Sequence, residues 1–266
     1  MSPAFVNRYT PPIPPPEILP ASSEPHDINY AFPLYSQTLT SARVRLEPFV
    51  PTLHADALWA GMAPHAPELF RYYPIAGTKE SWVAKLEDIR QQPECITFTI
   101  YDRTRNGAEG GDGEIAGMVS LINTSGADLK TEIGFIMVLP AFQRTHVART
   151  TVGLLLRYCL EPPESQTPGL GFRRVAWCAN SRNAPSIGLA RRLGFRDEGI
   201  LRFTWVLPNV DYLNAEGTEV RRRFVANNGE VVERTEGWAR DSATLSLCWD
   251  DWQDGKREYI ASIIQG

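Results

Sequence analysis

The stretch that decides the fold is residues 132–148, which read EIGFIMVLPAFQRTHVA and run on into an amphipathic segment. The apolar residues up to Val138 predict a buried strand, the prolines and polar residues that follow predict a turn, and the apolar spacing from Val147 onward predicts a helix. The first amides of a helix have no acceptor within it, and the helix dipole adds partial positive charge there. The loop at 143–148 is therefore a predicted site for phosphate or pyrophosphate, with Arg144 as an additional cation.

The composition is typical of a globular protein that does not act through bulk positive charge. The chain has 266 residues, 43% of them hydrophobic, and a net charge of -4. A chain of this length can hold one large domain or two small ones. The negative charge argues against a nucleic-acid partner, and the sequence has no apolar run of the ~20 residues that a membrane helix needs. We expect neither a nucleic acid nor a membrane as partner, and a cytoplasmic location.

The four cysteines do not follow the spacing of a metal site. Cys95, Cys159, Cys178 and Cys248 lie far apart and contain no CxxC pair. A dense disulfide framework would also need closer spacing in a shorter chain. We expect free thiols and no bound metal.

The chain divides into a proline-rich arm over residues 1–40 and one domain over residues 41–266. Proline fixes φ and lacks an amide donor, so the arm is expected to be extended. Its apolar residues could pack on the domain or on a second subunit, which would make a homodimer; a disordered tail is the alternative. Residues 208–237 are polar and are interpreted as an insertion, which could form its own hairpin around the glycine-bearing turn at 227–229. A final strand from Ala243 and a closing helix from Asp250 are expected to follow it.

The remaining pattern predicts a mixed α/β sheet. Helical spacing alternates with short runs of β-formers from Arg43 onward, and a meander of strands feeds the buried strand in 132–138. The order strand, helix, strand, helix, strand follows it.

Several motifs resemble those of the GNAT N-acetyltransferases. The order strand, Q-R-x-x-x-A, helix is similar to the acyl-CoA loop of that family. The segments RVAW at 174–177, NAPS at 183–186, RLGF at 192–195 and EGILR at 198–202 resemble its ribosomal-protein-alanine branch. The likeness covers roughly residues 43–263. It implies the GNAT acyl-CoA N-acyltransferase fold with splayed central strands, and acetyl-CoA as cosubstrate.

The resemblance also implies where the cosubstrate lies. Acyl-pantetheine would lie where the central strand parts from the strand at Arg174, facing the backbone of Ile136, Met137 and Val138. The alternative is a fully paired strand with no free amide. The phosphates would lie on the loop formed by Gln143, Arg144, Thr145, His146, Val147 and Ala148.

Two positions in this loop depart from the family pattern. His146 stands where the family carries its first glycine, and it could crowd the site, point outward or donate to a phosphate. Thr150 replaces a carboxylate that the branch carries in the first helical turn.

Glu132 and Ser186 are the candidate catalytic residues. Glu132 begins the buried strand, where desolvation raises a carboxyl pKa toward that of a general base. Alternatively, Glu132 is an ordinary carboxylate at the surface. Asp197 and Glu198 are weaker candidates for the base. A chain of water molecules could also replace a dedicated base.

The resemblance implies that Ser186 hydrogen-bonds the sulfur of CoA and that Asn183 contacts pantetheine. Both residues have a simpler interpretation, because Asn183 is a natural N-cap and Ser186 could satisfy a terminal amide.

We therefore expect an enzyme that transfers acetyl directly from acetyl-CoA to a primary amine, which is either a small molecule or a protein N-terminus. One alternative is an acyltransferase with another acyl donor or an oxygen acceptor. Another is a non-catalytic protein that binds acyl-CoA as a sensor.

Overall fold

The computed structural model describes residues 26–105 and 113–266. The described strands are β1 Val44–Pro48, β2 Ile96–Asp102, β3 Glu114–Ser125, β4 Lys130–Val138, β5 Arg174–Asn180, β6 Arg196–Leu207, β7 Thr218–Val225 and β8 Val231–Cys248. The described α-helices are α1 Pro51–Met62, α2 Ala66–Phe70, α3 Lys79–Arg90, α4 Val147–Leu160, α5 Ala184–Arg192, α6 Asp211–Asn214, α7 Trp249–Asp251 and α8 Arg257–Gln265.

The eight strands form one mixed sheet, in which seven follow the order β1-β2-β3-β4-β5-β8-β6 and β7 pairs with β8 outside this order. The neighbouring strands are antiparallel except for β4 and β5, which are parallel. β8 is long enough to hold two partners, because β6 pairs along its second half and β7 along its first half. The predicted mixed α/β architecture is confirmed.

Helix α4 fixes the position of the central strands. It packs on β1, β4 and β5 on one side and against α8 on the other. Leu154, Leu155 and Leu156 in α4 are fully buried, and burying each such side chain contributes about 1.5–3 kcal/mol. The loop that precedes α4 is therefore held on a rigid element.

Residues 26–40 pack against the domain. The Tyr158 hydroxyl of α4 donates to the carbonyl of Pro33 at 2.8 Å, and the ring of Phe32 lies edge-on to Phe172 at 5.6 Å. Leu39 is buried. The expected packing of Phe5, Ile13, Ile18 and Leu19 lies outside the described residues.

The final strand and the closing helix differ from the sequence-based expectation. β8 begins at Val231 rather than at Ala243, because residues 231–237 pair with β7 across a turn in which Gly229 has φ +84°. The structure thus contains the hairpin considered for the insertion, but its second strand continues without a break into the final strand. The closing helix is interrupted at Gly255, where φ is +85°.

Among residues 26–105 and 113–266, the helices are all too short or too polar to cross a membrane.

Candidate functional site

The central strands β4 and β5 part after a short parallel contact. They pair only where Lys130–Glu132 lies opposite Arg174–Ala176. Beyond Glu132, β4 continues to Val138 and pairs on its other side with β3, while β5 continues to Asn180 and pairs with β8. The two strands thus form a fork whose opening begins at Glu132. The expected splay of the central strands is confirmed.

The backbone of Val138 faces the opening of this fork. Leu139 donates its amide to Ala116, just before the paired part of β3, at 2.8 Å. Since N–H and C=O groups of successive strand residues point to opposite edges, Val138 presents its backbone to the β5 side. Its carbonyl accepts from Nε2 of Gln143 at 3.0 Å. The Val138 N–H is therefore a donor directed into the opening.

Ile136 and Met137 differ in their surroundings. The Tyr73 hydroxyl donates to the carbonyl of Ile136, which faces the same edge as Val138. Met137 lies opposite Met118 in the β3 register, and its carbonyl approaches Gly117 so closely that a Cβ there would lie 2.2 Å from the oxygen. The backbone of Met137 thus faces β3 rather than the opening.

A bulge in β4 produces this local change of direction. Phe135 has φ +49°, and the register with β3 shifts between Met118 and Ser120. A non-glycine residue in this conformation is strained and persists only where its surroundings hold it. The ring of Tyr73 stacks on Phe135 with centroids 5.9 Å apart, so Tyr73 supports both the bulge and the adjacent carbonyl.

The loop before α4 presents unpaired amides. Thr145 Oγ1 donates to the carbonyl of Phe142 at 2.6 Å and accepts from the amide of Val147 at 3.3 Å. Arg144 has φ +60°, which curls the loop. Within the described part of the chain, the following amides meet no acceptor: Arg144, Thr145, His146, Ala148 and Arg149. A curled loop with such amides at a helix start is suited to an anion.

His146 does not need the freedom of the family glycine. Its φ of -70° and ψ of -23° are helical values that any residue adopts. Its imidazole is buried, with Nε2 3.3 Å from Oδ1 of Asp102 at the end of β2. Burial lowers the pKa of His146, so the side chain is neutral at pH 7. Thr150, one turn further on, is fully buried.

Asn183 and Ser186 lie at the start of α5, and their groups are partly engaged. Asn183 is the N-cap, since its Oδ1 accepts from the amide of Ser186 at 3.2 Å. The Ser186 Oγ accepts from Nε1 of the buried Trp177 at 3.1 Å. The hydroxyl hydrogen of Ser186 and the Nδ2 group of Asn183 remain available as donors.

Glu132 belongs to a polar cluster at the base of the fork. Its Oε2 accepts from Nδ2 of Asn123 at 2.9 Å, and the Cys178 thiol lies within hydrogen-bonding reach. Burial raises the pKa of Glu132. Burial and the nearby Glu132 raise the pKa of Cys178 to about 12, so this thiol stays protonated. Glu132 thus has the environment of a general base that titrates above the usual carboxyl range.

Arg240 of β8 completes this cluster. The residue is 7% exposed, and its guanidinium donates to two carbonyls, those of Tyr72 at 3.3 Å and Cys178 at 3.4 Å. Arg240 and Asp241 are successive residues of β8, and Asp241 accepts from the amide of Phe203 at 2.8 Å.

The candidate catalytic residues flank the fork on opposite faces of the sheet. Trp177 and Cys178 are successive residues of β5, so their side chains point to opposite faces. Ser186 contacts Trp177, whereas Glu132 lies by Cys178. The opening therefore has a hydroxyl on one face and a carboxyl on the other.

The weaker carboxyl candidates are engaged elsewhere. Glu198 is held by both terminal nitrogens of Arg174 at 2.5 Å, and Asp197 pairs with Arg191 at 2.9 Å. Both ion pairs lower the pKa of the carboxyl group, which makes it a poorer base.

A family model described as "Acetyltransferase (GNAT) domain" matches residues 43–196, which is more than half of the chain. The chain belongs to the GNAT acetyltransferase family. The predicted family is confirmed, and the chain carries an acetyltransferase domain.

One curated relative is the putative ribosomal N-acetyltransferase YdaF of Bacillus subtilis. It is 33% identical over 100 residues, which are 36% of this chain and 50% of that protein. The match thus spans half the length of this relative.

Two solved structures are similar in fold. A GCN5-related N-acetyltransferase from Brucella melitensis superposes with a TM-score of 0.62 and 24% identity, over 85% of this chain and 84% of its own. A spermidine N-acetyltransferase from Vibrio cholerae, solved with CoA and spermine, gives a TM-score of 0.52 and 13% identity, over 79% and 98%. At these identities the likeness shows the fold.

Proposed function

We propose that this protein transfers the acetyl group of acetyl-CoA directly to a primary amine. The observation that carries the proposal is the fork between β4 and β5, which opens beside a loop of unpaired amides. A nucleotide thioester needs both features: a cradle for its phosphates and an unpaired strand edge for its pantetheine. In this proposal residues 41–266 act as one acetyltransferase domain, with residues 208–237 as an insertion.

The loop at 143–148 holds the pyrophosphate through its backbone amides, with the Arg144 side chain as an additional cation. Gln143 fixes the end of β4 by its contact with the Val138 carbonyl. His146 takes no part in this binding, because its imidazole is buried beside Asp102. The missing glycine therefore does not impair the cradle.

The fork orients the acetyl group. Bound acetyl-CoA supplies an activated thioester carbonyl, and the Val138 N–H donates a hydrogen bond to its oxygen. Such a fixed donor stabilises the negative charge that develops during acyl transfer. Ile136 shares the open edge of β4 with Val138, whereas the Met137 backbone faces β3. Asn183 lies across the opening near the pantetheine.

Glu132 and Ser186 handle the proton and the leaving group. Glu132 receives the proton of the incoming amine through a chain of water molecules on its face of the sheet, because it lies six residues before Val138 on β4, about 20 Å along the strand. As the new C–N bond forms and the C–S bond breaks, the Ser186 hydroxyl donates to the departing thiolate on the other face. Positioning of the two reactants supplies the rest of the rate enhancement.

The acceptor in this proposal is a small amine or a protein N-terminus. The ribosomal relative favours the second class, and the spermidine enzyme favours the first.

Calorimetry with CoA and a thiol-release assay test the proposal together. We expect micromolar binding of CoA and release of free thiol from acetyl-CoA on addition of a primary amine. Propionyl-CoA and alcohols serve as the alternative donor and acceptors. Absence of CoA binding would defeat every acyl-CoA hypothesis. Tight binding without turnover on any acceptor would favour a sensor.

A further inference from the structure

Arg240 is a buried cation in the fork without an ion-pair partner among the described residues. Its guanidinium donates only to two backbone carbonyls, at the long distances of 3.3 and 3.4 Å. Its Nε atom is buried and has no hydrogen-bond partner in the part of the chain that the structure describes. A buried charge and an unsatisfied buried donor both cost free energy, so this guanidinium indicates a further polar group in the opening.

The guanidinium lies at the open edge of β5. Trp249 donates its amide to the carbonyl of Arg173 at 2.9 Å, so the backbone of Arg173 faces β8. Backbone groups of successive strand residues point to opposite edges. Cys178, five positions further on, therefore turns its carbonyl toward the β4 side, and Arg240 donates to it there.

Along the fork, Arg240 lies between the levels of Glu132 and Val138. Glu132 is the last residue of β4 that pairs with β5. Cys178 lies two residues beyond that contact, in the direction in which the parallel β4 runs on to Val138. A water chain from the thioester to Glu132 must therefore pass the guanidinium.

Arg240 and Glu132 are also on the same face of the sheet. Cys178 lies opposite Thr244 in the β5–β8 register, so its side chain shares a face with Thr244 and with Arg240, four residues earlier. Among the described residues, the groups that face Glu132 are Asn123 from β3, Cys178 from β5 and Arg240 from β8. Arg240 is the charged member of these three.

We infer that Arg240 is a positioning residue for proton transfer, which holds the water chain between the amine and Glu132 and stabilises the negative charge that passes along it. This inference rests on the proposed function. The water next to Glu132 gives a proton to the carboxylate and takes one from the next water, and the last water takes its proton from the amine nitrogen. Each water thus carries negative charge in turn, which a fixed cation stabilises. The unpartnered Nε–H is a donor for one of these waters.

The same charge favours the ionised form of Glu132. Burial raises the pKa of Glu132, and Arg240 acts in the opposite direction. Burial also lowers the pKa of Arg240, but a guanidinium stays protonated in proteins. Without this charge the pKa of Glu132 should rise further, and the acidic limb of the pH profile should move to higher pH.

The test measures the pH dependence of kcat by thiol release from saturating acetyl-CoA. The acceptors are spermidine and a ten-residue peptide that begins with Ala. Arg240→Met removes the charge and the donors, whereas Arg240→Lys keeps the charge and lacks the Nε donor. Arg157→Met is the matched control. Arg157 also donates to two carbonyls, those of Thr38 and Thr40, and its buried Nε also has no hydrogen-bond partner among the described residues.

We expect Arg240→Met to lower kcat about tenfold, which is part of the roughly 10²–10⁴-fold that a general base contributes. Its acidic limb should move up by about one pH unit, since a nearby opposite charge lowers a carboxyl pKa by about 1–3. Arg240→Lys should lower kcat in the same way but keep the acidic limb of wild type. Should Arg240→Met fail to fold, this pattern in Arg240→Lys tests the inference by itself.

Two further comparisons separate proton transfer from a structural role. In a Glu132→Gln background, Arg240→Met should change kcat by less than about twofold, because both substitutions act on the same step. Arg157→Met should keep the kcat and the acidic limb of wild type. Calorimetry should give the same CoA affinity for all of these variants.

A folded Arg240→Met protein with the kcat and acidic limb of wild type would overturn the inference. So would an Arg240→Lys protein whose acidic limb moves as far as that of Arg240→Met, because charge would then not be the cause. A full tenfold loss in the Glu132→Gln background would overturn it as well. Turnover on neither acceptor by wild-type protein, or no binding of CoA, would instead defeat the proposed function itself and the inference with it.

Discussion

The loop at 143–148 and the polar cluster around Glu132 serve the same fork, yet they are assembled from different distances along the chain. The loop is built from contacts within five residues, such as Thr145 with Phe142 and Gln143 with Val138. In the cluster, Asn123 lies nine positions from Glu132, but Arg240 contacts residues that are 62 and 168 positions away, Cys178 and Tyr72. The part of the site proposed to bind acetyl-CoA is therefore built from residues close in sequence. The part proposed to receive the amine depends on the completed fold.

This difference predicts that the two sides respond separately to substitution. Changes in the loop should alter CoA affinity and leave the amine step unchanged. Changes in the cluster should alter turnover and the pH profile while CoA affinity is retained.

Removing the carboxylate of Glu132 should have the largest effect on turnover. Glu132→Gln keeps the shape and the contact with Asn123 but cannot accept a proton. Loss of a general base costs about 10²–10⁴-fold in kcat. Because burial raises the pKa of Glu132, wild-type activity should fall as the pH falls through that raised pKa, and the variant should lack this acidic limb. Calorimetry should give the same CoA affinity for both proteins.

Stability gives an independent check on Glu132. A carboxyl group with a raised pKa in the folded state favours folding below its unfolded pKa, and this contribution is lost as the pH rises through the folded value. Glu132→Gln should therefore gain in free energy of unfolding relative to wild type as the pH rises from the unfolded carboxyl pKa, about 4.3, through the raised folded value. A wild-type rate that does not fall at acid pH would contradict the role of Glu132.

Ser186→Ala should have the next largest effect. Loss of one hydrogen bond to the departing thiolate should lower kcat about 10- to 150-fold, since a hydrogen bond to a charged group contributes about 1.5–3 kcal/mol. The variant also leaves the buried Nε1 of Trp177 without its hydrogen-bond acceptor. Because an unsatisfied buried donor destabilises the folded state, the thermal unfolding temperature should fall. Ser262→Ala, which removes an exposed serine hydrogen bond in α8, is the control. An unchanged kcat in Ser186→Ala would show that Ser186 has only a structural role at the start of α5.

Tyr73→Phe should have a smaller effect, and this effect should be on the binding of acetyl-CoA. The ring would still stack on Phe135, but the Ile136 carbonyl would lose its hydrogen bond and the bulge would be held less firmly. One neutral hydrogen bond contributes about 1 kcal/mol, so we expect a rise of about fivefold in the KM for acetyl-CoA. Tyr72→Phe is the matched control, because the Tyr72 hydroxyl makes no hydrogen bond with the described residues. Equal KM values for the two variants would argue against a role of the Tyr73 hydroxyl.

Arg144→Gly should have the smallest effect. Glycine adopts φ +60° readily, so the loop keeps its shape and only the exposed side chain is lost. We expect about threefold weaker CoA binding, since exposed charge pairs contribute about 0–1 kcal/mol. The difference should shrink as the salt concentration rises. Calorimetry at two salt concentrations measures it, and an equal ratio at both would show that the side chain does not act through charge.

The same contrast explains how much could be predicted from the sequence. The β4 strand, the loop and α4 were predictable because apolar spacing, turn residues and helix caps all act within a few positions. The mixed sheet followed from the alternation of helical and strand patterns, and the splay followed from the resemblance of the local motifs. The motif pattern alone, however, gave no guidance on His146, whose backbone turned out to be helical and whose side chain is buried beside Asp102.

The acceptor side could not be predicted in the same way. Nothing near Tyr73 in the sequence indicates a contact with Ile136, and nothing near Gly77 indicates Tyr212, 135 positions away. β8 was placed too late because its first half pairs with β7 in an exposed, charged hairpin. These features depend on which strands become neighbours in the sheet. The spacing of apolar residues along one segment carries no information about its neighbours.

A crystal structure of the protein with CoA tests the central claim most directly. The proposed mechanism predicts pyrophosphate oxygens on the amides of the loop at 143–148 and the pantetheine between β4 and β5. The sulfur should lie close to the Val138 N–H and the Ser186 hydroxyl. CoA bound elsewhere on the chain, with β4 and β5 paired beyond Glu132, would contradict it.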